Sequence, residues 1–583
     1  MLQLRLSYLA APLLLLQGCA TLSSPAEVAA RPAATASAHG PSASLGTGLV
    51  SAADPRAAEA GAEMLRRGGS ATDAAIAVML ALNVVEPQSS GIGGGGFFLR
   101  GTPAGTVETL DGRETAPAGA DGQWFLGASG KPLGFMEAVI SGRSVGVPGN
   151  LRLAEEAHRR YGKLPWAELF EPAIALARNG WTLTERGHEF LERAKNRAAH
   201  QPEGLALYYG ADGKAAPVGT RLRNPVLGDT LEAIAKNGAD WFYSGANAAK
   251  IAAEVDAETP RKGALTVQDL AGYHAKSRPD VCGDYRGYRI CGMGPPSSGA
   301  TTVFAILKQL ERFDLHALGP KSPRFWHLFA ESQRLAYADR ELYLGDTDYV
   351  SVPVAGLVDA DYLKARGALI SPDTTLPAAV AGSPPGASLA LADGDEPEEH
   401  GTSHFVTVDK WGDATSWTST VEGSFGSGIM VGGYYLNNEL TDFSFVPEKD
   451  GTPVANRVEG GKRPRSSMAP TLVYAPDGSL YMSVGAAGGA TIPVQVARVL
   501  IGVIDFGLPL DQAIALPVLF SPGDAIAVEQ GSWLESLIPE LKALGHDQVA
   551  ARALPLKANG AIHTAHGWVG AADPRSDGVA VSE

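Results

Sequence analysis

Thr402 has the setting most suited to nucleophilic chemistry in this sequence. It follows Gly401 at the end of a Pro-, Ala-, Gly- and acid-rich stretch (371–401) and heads a run that alternates like a strand (403–409). By itself such a threonine signals little, because β-branched residues suit strands anyway. Thr420 and Glu422 stand two apart, at the end of a second alternating run (414–421), and share a face if that run is a strand. Whether that face meets Thr402 depends on a hairpin register that the pattern leaves open by one residue. Gly488-Gly489 could bring backbone N–H groups close to a developing negative charge, although such a pair is more often only a turn. His404 lies near enough in sequence to be taken for a base, and Arg113, in a loop, is by default a solvated charge.

The elements that must position these groups are readable in outline. A helical pattern after Asp54-Pro55 stops at Gly68-Gly69, and Ser70 with Asp73 three residues later caps a second helix running to about Asn83. Further helical patterns fall near 150–160, 165–179, 227–236, 301–313 and 322–342, so the first part of the chain is helix-rich. The stretch 371–401, ending Asp395-Glu-Pro-Glu-Glu-His-Gly401, has no periodic apolar face and reads as an exposed, cleavable or mobile segment. Strands follow at once: 403–409 and 414–421 are joined by 410–413, and 471–475 and 480–485 by Pro476-Asp477-Gly478. Helical patterns return at 491–505 and 511–517. The sharpest change in composition lies near 401.

The chain has 583 residues, 45% hydrophobic and 19% charged, which makes it globular rather than disordered and large enough for two to four compact units. Its net charge of -15 would repel phosphate backbones and argues against a nucleic-acid partner. Three cysteines cannot build a Cys-rich metal cluster or a disulfide framework, and no cofactor or metal is expected. Glycine is abundant, at 70 residues, and it clusters locally in 91–96, 426–433 and 485–489, whereas the tether up to 45 is mainly Ala, Ser and Pro.

Residues 1–18 read as an export signal: Arg5 is followed by an apolar run from Tyr8 to Leu16, too short to span a bilayer as a helix. Leu16-Gln-Gly-Cys19 resembles a bacterial lipobox. That resemblance implies that Cys19 is lipidated and anchors the chain; the alternative is an ordinary cleaved signal in which Cys19 is incidental. Residues 19–45, rich in Ala, Ser and Pro, would then tether the folded body to the membrane, placing it in the periplasm on the outer membrane. The other two cysteines, Cys282 and Cys291, face each other if a hairpin turns on Arg286-Gly287, so a cross-strand disulfide or two free buried thiols are both open.

Taken together, Gly401-Thr-Ser-His-Phe405, Phe425-Gly-Ser-Gly428, Leu436-Asn-Asn438, Asp442-Phe-Ser444, Lys462-Arg-Pro464, Ser466-Ser-Met468 and Gly488-Gly489 resemble the gamma-glutamyltranspeptidase family. Glu86 to Gly96, Arg113-Glu114, Gly146-Val-Pro-Gly149, Tyr161 to Trp166, Pro295-Pro-Ser-Ser-Gly299 and Arg334 to Arg340 agree as well, in order from about 45 to the C-terminus. The resemblance implies an α+β fold, the four-layer αββα sandwich of N-terminal-nucleophile hydrolases. It is made as one precursor and cut between Gly401 and Thr402 into a large subunit (46–401 after signal and tether) and a small subunit (402–583), which form a heterodimer. A new α-amino group on Thr402, titrating near ~7.7–8.0, would then accept the proton of the same residue's hydroxyl. By the same resemblance Thr420 hydrogen-bonds the nucleophile, Gly488 and Gly489 form the oxyanion hole, and His404 is structural.

On the substrate side, the resemblance implies glutathione or another γ-glutamyl compound as donor and water or an amino acid or peptide as acceptor. A γ-glutamyl group presents an α-carboxylate beside an α-ammonium, so its pocket needs cationic and hydroxyl donors next to carboxylates. Arg113, Ser466 and Ser467 match the carboxylate-binding residues, and Glu439 and Asp442 the ammonium-binding ones. Glu422 departs from the family, whose better-known members have Asn there; an added carboxylate favours an ammonium and disfavours an acyl group without one, such as glutaryl. The stretch 445–461 is shorter than the lid of some bacterial members and lacks its aromatic residue, which leaves the pocket open to larger donors. The alternatives are a related acylase for glutaryl side chains, cephalosporins or poly-γ-glutamate, and a non-catalytic lipoprotein that binds glutathione or peptides.

Overall fold

The computed structural model describes residues 48–260, 264–387, 391–392 and 401–583. The signal segment 1–18, the tether with Cys19 and the acidic run 393–400 lie outside the described residues. Among those described, no helix is long and apolar enough to cross a membrane.

The local signals form the elements they encode. After strand β1 (Leu49–Ala52), Asp54 caps helix α1 (Pro55–Arg66) by accepting from the Arg56 N–H. Gly68, at φ 87°, ends it. Ser70 and Asp73 then close a reciprocal capping box on α2 (Ala71–Val85), which is buried along its whole length and accordingly apolar nearly all round.

Two antiparallel sheets carry the site. The strands are β2 (Gly95–Gly101), β3 (Val107–Gly112), β4 (Lys276–Ser277), β5 (Asp280–Tyr285), β6 (Tyr288–Met293), β7 (Gly401–Val408), β8 (Ala414–Glu422), β9 (Thr471–Tyr474), β10 (Leu480–Ala487), β11 (Lys557–Thr564), β12 (Gly567–Ala572) and β13 (Val579–Ser582). The first sheet runs β13-β1-β7-β8-β2-β3-β4 and the second β12-β11-β10-β9-β6-β5. Residues before and after 401 therefore contribute to both sheets: they alternate in the first, and in the second four strands from after 401 are followed by two from before it.

Helices α1 and α2 cover the outer face of the first sheet, while α4 (Gly299–Leu310) and α6 (Ile492–Ile504) cover the second, with α5 (Pro323–Tyr343) packed on α4. Helix α3 (Glu185–Arg193) lies in the long insertion between β3 and β4. The order of layers is helix, sheet, sheet, helix, the αββα arrangement expected. Alternation along β7 splits its side chains between the two cores: Phe405 joins Val50, Phe98 and Trp417 under α1 and α2, whereas Val406 and Val408 join Leu99, Leu472 and Val484 between the sheets. Ser483 Oγ donates to the Thr415 carbonyl (3.0 Å) and Asn559 Nδ2 to the His404 carbonyl (2.9 Å), so hydrogen bonds also tie sheet to sheet.

In the β5–β6 hairpin Arg286 and Gly287 both take positive φ, 53° and 84°, as a two-residue turn of the primed type requires. Cys282 pairs with Cys291, and the two are joined as a disulfide with Sγ–Sγ 1.99 Å.

Candidate functional site

Thr402 is the second residue of β7, and its register partner on β8 is Thr420. The two hydroxyl oxygens lie 3.2 Å apart, and Thr402 Oγ1 is 2.7 Å from the Gly401 carbonyl oxygen. Thr420 Oγ1 donates to that same carbonyl at 2.5 Å and accepts from the Glu422 N–H at 2.8 Å. A bulge follows directly, so that Glu422 stands opposite Gly401 with φ 73°. The alternation argument, which put Thr420 and Glu422 on one face of a regular strand, gives way here to that bulge. Its close fit is met from the other side by the glycine run: a Cβ on Gly94 would collide with the Thr420 carbonyl.

Ser403, one residue further, donates to Glu86 Oε2 (2.7 Å) and accepts from Lys557 Nζ (3.1 Å), which also donates to Glu86 (3.0 Å). This buried ion pair ties the head of β7 to the end of α2 and to β11. His404 is fully buried with Nδ1 2.9 Å from Thr418 Oγ1, and burial pushes its pKa down to about 3. It is a neutral ring held between the sheets, in keeping with a structural role.

Gly488 follows β10, at φ 132°, and a Cβ there would collide with the Pro555 carbonyl, so only glycine fits. Gly489 opens a short turn of helix (Gly489–Thr491) leading into α6. Gly488 and Thr402 line one cavity, of about 590 Å³, together with residues of α3.

A second group, rich in charge, surrounds Arg113. Its guanidinium, only 1% exposed, is paired with Glu439 and with Asp442, and it also donates to the carbonyls of Pro464 (3.2 Å) and Arg465 (2.8 Å). The carboxylates of Glu422, Glu439 and Asp442 lie within 4.8 Å of one another, close enough to hold a cation, and Arg113 is already among them. Burial pushes the Glu439 carboxyl up to about 7, with Arg113 pulling against it and Asp442 reinforcing it. Asn437 fixes the turn that carries Glu439: its Oδ1 accepts from the N–H groups of Gly146 (2.9 Å) and Glu439 (3.0 Å), and its Nδ2 donates to the carbonyls of Gly93 and Gly146.

Ser466 and Ser467 stand beside this cluster in sequence, after the Arg465 carbonyl that Arg113 reaches. Ser466 is buried with Oγ accepting from the Met468 N–H (3.2 Å); Ser467 Oγ accepts from Arg340 (2.8 Å). Arg340 also donates to Ser298 Oγ (2.9 Å), so the motifs at 295–299 and 334–340 meet in support of this loop. Sequence reasoning quoted those motifs without finding that role. It quoted Glu114 beside Arg113 but gave it no role; this is a fully buried carboxyl that burial and the nearby Glu439 charge push well above the ordinary range. An acid directly after Arg113 was the available signal. In the short stretch 445–461, Glu448–Lys449 pairs with Thr452–Pro453, and Phe445 stacks on Phe125 with ring centres 4.3 Å apart.

His327, Glu331 and His546 form another buried group that could hold a metal. Its members already satisfy one another and their neighbours: His327 Nδ1 lies 2.7 Å from His546 Nε2, and Glu331 accepts from Arg334, Thr375 and the Leu376 N–H.

Comparison with known proteins gives a consistent answer. The family model described as gamma-glutamyltranspeptidase matches residues 57–582. The chain is 36% identical over 513 residues to the glutathione hydrolase proenzyme of Bacillus subtilis (strain 168), covering 86% of this chain and 85% of that one. It is 34% identical over 541 residues to that of Escherichia coli (strain K12), covering 91% and 90%. Among solved structures, a cephalosporin acylase from Bacillus halodurans aligns with TM-score 0.81 at 26% identity over 92% of this chain and 96% of its own. The gamma-glutamyltranspeptidase of Helicobacter pylori aligns with TM-score 0.52 at 37% identity, over 55% and 91%.

Proposed function

The chain belongs to the gamma-glutamyltranspeptidase family, and we propose that it cuts itself between Gly401 and Thr402 and then transfers γ-glutamyl groups, from glutathione and related amides, through an ester on Thr402. The observation that carries this reading is the pair of hydroxyls on one carbonyl: Thr402 Oγ1 and Thr420 Oγ1 lie 2.7 and 2.5 Å from the Gly401 oxygen.

In self-cleavage Thr402 Oγ attacks the Gly401 carbonyl carbon while the Thr420 hydroxyl holds the developing oxyanion. The C–N bond breaks, the nitrogen takes the hydroxyl proton, and water hydrolyses the resulting ester. The products are a Gly401 carboxylate and a Thr402 bearing both a hydroxyl and a free α-amine.

In turnover that amine, with a pKa near ~7.7–8.0, takes the Oγ proton as Oγ attacks the γ-carbonyl of the donor. The new oxyanion faces the N–H groups of Gly488 and Gly489. Collapse expels the amine half with the proton, and water or an acceptor amine then attacks the γ-glutamyl ester. Nucleophile and base are one residue, and neutral His404 takes no part.

Arg113, with Ser466 and Ser467, receives the donor's α-carboxylate, and Glu422, Glu439 and Asp442 receive its ammonium. The charge cluster favours this over the acylase reading, because three carboxylates share the one guanidinium of Arg113 and a glutaryl group brings no ammonium to offset them. The lipobox-like Leu16-Gln-Gly-Cys19 and the tether behind it support export and attachment by lipid at Cys19, facing the periplasm.

Purified protein tested on a chromogenic γ-glutamyl anilide and its glutaryl counterpart decides between the readings. Preferential release from the γ-glutamyl compound is expected. Equal or reversed preference would move the protein to the acylases, and ligand binding without turnover of either would make it a binding protein.

A further inference from the structure

The cavity beside Thr402 carries a charge pattern that the γ-glutamyl site does not use. Thr402 and Gly488 form one part of its lining, and none of Arg113, Glu439 or Asp442 reaches it. A donor held at Arg113 with its γ-carbonyl at Thr402 therefore sends its amide nitrogen, and everything beyond it, into this space.

Helix α3 builds the facing wall. Arg186, Glu189, Phe190 and Arg193 fall at helical spacing on one side of it, and Arg197 continues the row in the next turn. The guanidinium groups of Arg186 and Arg193 lie 5.1 and 4.5 Å from the centre of the Phe190 ring, which holds both in place. Two other cations of the lining are occupied: Lys557 by Glu86 and Ser403, and Arg575 by Glu529 and Asp573. On α3 itself the lining sets the guanidinium groups of Arg186 and Arg193 against the single carboxylate of Glu189; Arg186 also donates to the Arg575 carbonyl (3.3 Å), and Arg197 has a partner of its own. Burial, and after it the neighbouring Arg186 charge, pulls the Arg193 guanidinium below its ordinary range, with Glu189 acting against them. In a chain of net charge -15, such a basic wall beside the nucleophile calls for an anion.

We propose that this wall selects the amine half of the reaction: preferred leaving groups and acceptors are amines bearing more than one carboxylate, such as acidic amino acids and acidic peptides. The proposal rests on the γ-glutamyl-transfer reading and adds to it the chemistry of the second substrate.

The test compares γ-glutamyl-glutamate with γ-glutamyl-glutamine, which are nearly isosteric and share the acyl half. At low ionic strength kcat/KM is expected to favour the glutamate compound roughly fivefold, the scale of about 1 kcal/mol that a few partly exposed charges supply. The preference should shrink in high salt and disappear in Arg193→Glu, whose exposed position tolerates the change. Because each ratio is internal to one protein, the wild-type ratio decides even where a variant is poorly made. Equal turnover of the two dipeptides, or a preference that Arg193→Glu retains, overturns the inference and leaves γ-glutamyl transfer standing. Turnover of neither overturns both.

Discussion

Thr402 and Arg113 sit in regions built from opposite materials. Around Thr402 the neighbouring groups are mainly hydroxyls and backbone: Thr420, the Gly401 carbonyl, Gly488, and a histidine held neutral by burial, with one buried ion pair, Glu86–Lys557, engaged by Ser403. Around Arg113 there is little but charge, with Glu114, Glu422, Glu439 and Asp442 crowded on one guanidinium. The difference teaches a division of labour. A nucleophile that generates its own base by self-cleavage needs no buried acid or base beside it, whereas a zwitterionic ligand must be met by charges of both signs. Damage to the first region should fall on kcat and processing, and damage to the second on KM, specificity and stability.

The sharpest break is Thr402→Ala. It removes nucleophile and base together, so turnover should fall on the order of 10⁵-fold, as loss of a catalytic nucleophile does, with folding intact by circular dichroism. Thr420→Ala should slow self-cleavage by about 10²-fold, the usual cost of one oxyanion donor, read by gel densitometry over time.

Arg113→Leu attacks the other region. It leaves the buried Glu439 and the partly buried Asp442 without their cation, so we expect a loss of roughly 3 kcal/mol of stability in a denaturant titration and a KM rise larger than any fall in kcat. A fall confined to kcat would dissolve the division of labour.

The two regions should also titrate apart. Glu439, with its pKa raised to about 7, is neutral below that pH and ionised above it, so KM for a γ-glutamyl donor should fall as pH rises through 7. The Thr402 amine should carry a separate limb in kcat near pH ~8. Glu439→Gln should flatten the KM limb and leave the kcat limb where it was. Smallest of all, Glu422→Gln should raise glutaryl-anilide turnover relative to the γ-glutamyl compound by a few-fold, since two carboxylates remain for the ammonium.

The same two regions differ in how far they could be read from sequence. The β7–β8 hairpin was legible, because alternation marks both strands and a four-residue connection joins them; the register that pairs Thr402 with Thr420 came only with the structure. The bulge at Glu422 was not legible, since a non-glycine residue at positive φ leaves no mark in the pattern. The Cys282–Cys291 pairing was open in sequence because the turn at Arg286-Gly287 fixes facing positions but not oxidation. The Arg113 cluster joins groups more than 300 residues apart, which no local pattern reveals, and family resemblance alone collected them. Glu114 and the Arg340–Ser467 bond escaped because burial and long-range contacts decide their roles. The arginines on α3 did have a signal, positions 186 and 193 two turns apart with 197 in the next helix, but charge rows usually mean only a solvated face.

Self-cleavage at Thr402 is the claim on which the rest depends, and intact mass with N-terminal sequencing of the purified protein tests it most directly. Two chains are expected, the smaller beginning Thr-Ser-His-Phe, and a single uncut chain is expected for Thr402→Ala. A wild-type protein that stays whole, a cut at another bond, or a Thr402→Ala protein that still divides after Gly401 would contradict it.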